Sequence, residues 1–143
     1  MNLRDQLEAF EGRRYEAYPD PITGGAPWTI GVGHTGPEVH EGLVWNDDQI
    51  DAALTMDIEN ATQECIANFP WFVTMNEPRQ AVLVGMVFQM GLDRALKFQR
   101  ALANMRDEHW ANAAEEMRQS QWCRQTPKRV YRLASQMETG EWA

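Results

Sequence analysis

The chain has 143 residues, 43% of them hydrophobic and 24% charged, which fits one compact soluble domain or two small lobes and excludes wholesale disorder. Its 21 acidic and 13 basic side chains leave a net charge of −8, which argues against a nucleic-acid partner because phosphate binding needs a basic face. No run of about 18 apolar residues is present, so stable membrane insertion is not expected.

Asn2 can cap a first helix with Leu3, Leu7 and Phe10 on one face, and Gly12 allows a left-handed exit just after Glu11. Residues 13–36 are rich in Gly, Pro, Tyr and Thr. Short β-type runs such as Trp28-Thr29-Ile30-Gly31-Val32 predict a small antiparallel sheet there. Asn46-Asp47-Asp48 opens a long helix reaching Phe69, with Ile50, Leu54, Ile58, Ala61, Cys65 and Phe69 forming a buried stripe before Pro70. Asn76-Glu77-Pro78 starts the next helix. It is apolar nearly all round from Ala81 to Met90, as a bundle's central helix is, and Gly91 closes it. Helices over about 93–106 and 108–119 follow. Thr126-Pro127 caps and opens the last helix, which Gly140 ends. Cys65 and Cys123 read as buried free thiols, and neither has a metal-ligand neighbour at useful spacing.

Two carboxylates and a hydroxyl fall close together in this pattern: Glu11, Asp20 and Thr29. A helix C-terminus disfavours a negative charge, so Glu11 is suited to carry a proton. Pro19-Asp20-Pro21 is a good turn in itself, in a polar setting that suits an ionised side chain. A protonated acid and a carboxylate across a sugar are what glycosidic hydrolysis requires. On spacing alone, Glu11 also reads as a solvated helix-end acid, and Thr29 as an ordinary strand former.

Glu11, Asp20 and then Thr29-Ile30-Gly31-Val32-Gly33-His34 resemble the phage-type lysozymes, glycoside hydrolase family 24. So do Met86-Val87-Phe88-Gln89-Met90-Gly91, then Trp122 with Gln125-Thr126-Pro127 and Arg129, and finally Thr139-Gly140 with Trp142. The matches keep their order from end to end. The resemblance implies an α+β, mainly helical fold with two lobes. The N-terminal lobe (about 12–55) carries a three-stranded sheet, and a long helix (about 46–69) joins it to a helical lobe formed by about 70–143 with helix 1–11.

The resemblance also implies a lysozyme, an N-acetylmuramidase cleaving the β-1,4 bond between N-acetylmuramic acid and N-acetylglucosamine. Glu11 would be the general acid, and Asp20 with Thr29 would place the attacking water. Gln89 and Thr126 are similar to substrate-binding residues. Arg129 is similar to an arginine near the acid, and His34 to a histidine paired with an aspartate on the long helix, here Asp57. Trp28 is open between stacking on a sugar and packing in the hairpin. Trp110, Trp122 and Trp142 read as core anchors.

No metal or organic cofactor is implied. The partner is bacterial peptidoglycan, met by a monomer. The N-terminus lacks a signal-peptide pattern, so synthesis in a host cytoplasm and passage through a holin-type pore are expected. The stretch between Asp20 and Thr29 is longer than the compact family pattern, and a one-residue slip of register would turn Thr29 to the wrong face. Two other readings are a lytic transglycosylase, which needs no water-positioning partner, and a non-catalytic virion module on the same fold.

Overall fold

A computed structural model describes all 143 residues as eight α-helices and one three-stranded sheet, the mainly helical α+β class expected. The elements are α1 (Leu3–Glu11), β1 (Arg14–Tyr18), β2 (Thr29–Gly31), β3 (His34–Thr35) and α2 (Asp47–Asn68). After a 3-10 turn at Phe72–Thr74 come α3 (Glu77–Met90), α4 (Leu92–Ala95), α5 (Gln99–Arg106), α6 (Trp110–Arg118), α7 (Gln121–Gln125) and α8 (Pro127–Thr139). The chain divides into two compact units, Arg4–Asn60 and Met1–Leu3 with Ala61–Ala143. Of helix 1–11, therefore, only the first three residues group with the second unit.

In the first unit the strands run antiparallel in the order β1-β2-β3. Pairing of Arg14 with Gly31 and of Tyr18 with Thr29 leaves a bulge in β1. The bulged stretch pairs elsewhere: Ala17 N–H donates to the Leu43 carbonyl at 2.9 Å, and Trp45 N–H to the Tyr15 carbonyl at 2.8 Å. Ala17, Ile30 and Val39 form a small core, with Trp28, Leu43 and Trp45 packed against it. Trp28 thus packs in the hairpin while staying partly exposed. Asn46 starts α2 by a reciprocal cap, its Oδ1 accepting from Gln49 N–H and Gln49 Oε1 accepting from Asn46 N–H, both at 2.9 Å. The α2 stripe is buried at Ile50 and Leu54 here and at Ala61, Cys65 and, just past the helix end, Phe69 in the other unit, while Ile58 is only partly buried.

In the second unit α3 is buried on all sides from Ala81 to Val87. Asn76 caps it, accepting from Arg79 N–H at 3.1 Å, and Gly91 takes φ +83° at its end. Arg79 then ties α3 to α8. Its guanidinium donates to the Met137 and Glu138 carbonyls at 2.7 and 2.9 Å and lies 4.0 Å from the Trp110 ring centroid. Gln136, fully buried, donates to the Pro78 carbonyl at 2.7 Å. Cys65 and Cys123 are buried free thiols.

The structure corrects several expected elements. The helix expected over 93–106 breaks at Leu96–Phe98, where Phe98 leaves helical geometry (φ −81°, ψ 55°). The helix expected from Glu108 begins at Trp110, because Glu108 takes a positive φ of 59°. Helix α7 was not anticipated, since five residues are too few to show a period. Its signal is Ser120, whose side chain accepts from Cys123 N–H at 3.1 Å. Thr126 precedes α8 without a side-chain cap, and its hydroxyl turns back to the Trp122 carbonyl at 3.3 Å. Of the three tryptophans read as core anchors, only Trp122 is fully buried.

Candidate active site

The candidate residues fall into two groups, one in each unit. In the first unit Glu11 is the last residue of α1, and Gly12 N–H donates to the Glu8 carbonyl at 2.8 Å to close the helix, with Gly12 at φ +76°. The Glu11 carboxyl lies directly against Gly33. A Cβ built on Gly33 would come within 2.8 Å of Glu11 Oε2, and Gly33 holds φ +67°. Glycine is therefore needed twice there, for its conformation and for its lack of a side chain.

Thr29 sits opposite Tyr18 in the β1–β2 ladder. Their neighbours Ile30 and Ala17 point into the small core, so strand alternation places Thr29 and Tyr18 together on the other face. Tyr18 was not singled out from the sequence. Burial and then the negative charge of Glu11 push its phenol upward in pKa, against Arg14 and a hydrogen bond from Thr29. The Arg14 guanidinium lies 4.6 Å from the Tyr18 ring centroid.

Asp20 stands two residues beyond Tyr18, at the head of the connection to β2. Its Oδ1 accepts from the Ile22 and Thr23 N–H groups at 2.8 and 3.1 Å. His34 follows the second glycine of the hairpin and pairs with Asp57 on α2, Nδ1 to Oδ2 at 2.7 Å. Its Nε2 meets Glu38 at 2.6 Å, a second partner not anticipated although it lies four residues on. The Asp57 hydrogen bond, reinforced by Glu38, outweighs burial and lifts His34 from 6.5 to about 9.

In the second unit Gln89, on the last turn of α3, accepts from Trp122 Nε1–H at 2.9 Å. This leaves its amide N–H2 for other work. Gln89 and Trp122 help to line a recess of about 270 Å³ with Arg94, Lys97, Phe98 and Gln125. The two cations were not foreseen. Thr126 is half-buried at the start of α8, and Arg129 is buried within its first turn. Charge is divided unevenly. Arg4–Asn60 holds 12 of the 21 acidic and 3 of the 13 basic side chains, a net of −9, and the other unit carries +1.

A family model described as phage lysozyme matches residues 8–138. Over 97% of its length, the chain is 31% identical to a Dictyostelium discoideum protein named probable T4-type lysozyme 1, covering 95% of that protein. It is 27% identical to the peptidoglycan hydrolase gp36 of Pseudomonas phage phiKMV, over 97% of the chain and 16% of the relative. It is also 28% identical to the pre-baseplate central spike protein Gp5 of Enterobacteria phage T4, over 98% of the chain and 28% of that protein.

Proposed function

The chain belongs to the phage lysozyme family, and from that premise we propose that it is a muramidase that lyses cells by hydrolysing peptidoglycan. The bond cut is the β-1,4 link between N-acetylmuramic acid and N-acetylglucosamine. The observation that carries this reading is Glu11 at a helix end, its carboxyl against Gly33, in the same unit as the paired strands that bear Thr29.

In this mechanism Glu11 gives its proton to the leaving oxygen. Asp20 takes a proton from water on the opposite side of the sugar, and Thr29 orients that water. Water attack opposite the leaving group inverts the anomeric centre, a geometry associated with carboxyl separations of roughly 6.5–9.5 Å. Gln89, Thr126 and the recess beside Gln89 serve as substrate contacts. The test is product analysis on purified wall fragments. The first product is expected as the α-anomer with a free reducing end. A 1,6-anhydro end would assign the chain to lytic transglycosylases, and a β-anomer would replace inversion with retention.

Gly33→Ala tests the acid's seat. The added methyl costs about 1 kcal/mol at a left-handed position. It also pushes the Glu11 carboxyl aside, which lowers kcat/KM about tenfold. Urea unfolding and wall clearing on one preparation measure both. Full activity in the variant would show that the Glu11 position seen here is not the working one.

A second reading keeps the chemistry and changes the setting. The similarity to a central spike protein favours a wall-cutting module carried by the virion. Immunoblotting of purified particles separates it from a freely released enzyme.

A further inference from the structure

The connection from Asp20 to Pro27 is held by its own hydrogen bonds. Asp20 N–H donates to the Gly25 carbonyl at 2.9 Å, and Gly24 N–H donates to the Asp20 carbonyl at 2.8 Å. Thr23 sits astride this loop. Its hydroxyl donates to the Ala26 carbonyl at 2.8 Å and accepts from Gly25 N–H at 3.2 Å. Its own N–H donates to Asp20 Oδ1. Apolar anchoring does not hold the tip, because Ile22 is 93% exposed.

We propose that Thr23 is a positioning residue for hydrolysis: its hydroxyl locks the 20–27 loop, whose N–H groups then fix the Asp20 carboxylate. This rests on the reading of Asp20 as the group that activates water. The physical case has three steps. A carboxylate turns easily about its last torsion, which has only broad preferences. Two N–H donors on Oδ1 fix its plane, commit that oxygen to the backbone and leave Oδ2 to accept a proton. Those donors hold still only if the adjacent Gly24-Gly25 pair is restrained, since two glycines together are conformationally permissive. The Thr23 hydroxyl supplies that restraint from both sides.

During reaction one water proton passes to Asp20 Oδ2. The water oxygen forms its bond to the anomeric carbon as the bond to the leaving oxygen breaks, and the leaving oxygen takes the Glu11 proton. A carboxylate rotated out of line slows that step without changing how the polymer binds. The 20–27 loop thus becomes a cradle for the water-activating group.

The test is steady-state kinetics on soluble wall fragments for Thr23→Val, Thr23→Ala and Thr23→Ser, each alone and with Asp20→Asn. Thr23→Val and Thr23→Ala are expected to lower kcat about tenfold with KM within about twofold of wild type. Thr23→Ser restores the rate because it keeps the hydroxyl. Against Asp20→Asn, whose residual rate is low, the Thr23 changes add no further loss, because their effect runs through Asp20. Circular dichroism on each variant establishes that it is folded. A wild-type kcat in Thr23→Val, no rescue by serine, or a loss that multiplies with Asp20→Asn overturns the inference and leaves the hydrolase reading standing. A wild-type kcat in Asp20→Asn overturns the role of Asp20 and the inference with it.

Discussion

Glu11→Gln lowers kcat on wall fragments by roughly a hundredfold to ten-thousandfold, the range that a positioned general acid supplies. Glutamine keeps the size of the side chain and its reach from the end of α1 but has no acidic proton to give. Helix α1 keeps its closing contact after the change. Glu11 is only half-buried, and the closing contact of α1 is made by Gly12 N–H and the Glu8 carbonyl. Gly33 still leaves the space that the side chain occupies. Thermal unfolding therefore serves as the internal control, with Tm expected to stay close to wild type. Wall clearing at the wild-type rate would remove Glu11 from the mechanism. Lost activity together with a collapsed Tm would point to a structural role instead.

The second large effect is a fall in stability as pH rises from 6.5 through about 9. His34 is lifted from 6.5 to about 9 by Asp57 first and Glu38 after it. A raised value means that the folded protein holds the proton more tightly than the unfolded chain. The contribution is therefore complete below 6.5 and disappears as pH rises through about 9. At about 1.4 kcal/mol per pH unit, the full shift corresponds to about 3.5 kcal/mol. The Glu38 end of the pair is 55% exposed and screened by solvent, so about 2 kcal/mol is the expected loss. Glu38 acts with the opposite sign. Its carboxyl is held below the usual 4.5 by His34, so its part is present above 4.5 and is lost as acid protonates it. Stability from this cluster therefore peaks between about 4.5 and 6.5. Urea unfolding across the range, for wild type and Asp57→Asn, measures it. The variant should show a markedly flatter alkaline fall. Identical slopes would mean that another group carries the pH dependence.

Much of this is legible in the sequence. Asn46, Asn76 with Pro78, Gly12, Gly91 and Gly140 punctuate helices through contacts a few residues long, so local sequence is enough to place them, while the answering bond from Gln49 to Asn46 came from the structure. The α2 stripe and the all-round apolar stretch of α3 follow from helical period alone. The break at Leu96–Phe98 and the late start of α6 escaped, because no glycine or proline marks them and tertiary packing overrides weak propensity.

By itself the sequence determined most of the helix ends and the presence of a hairpin after Glu11. The reason is that capping, left-handed glycines and hydrophobic period are short-range effects written in neighbouring residues. The tertiary structure decided which partner each polar group takes. It set Thr29 opposite Tyr18 across a bulged ladder, and it gave His34 a second carboxylate in Glu38. It committed Gln89 to Trp122, and it tied Asp20 to the turn that Thr23 holds. Register, bulges and loop closure depend on backbone conformation and on contacts distant in the chain, where one residue of slip reverses a face.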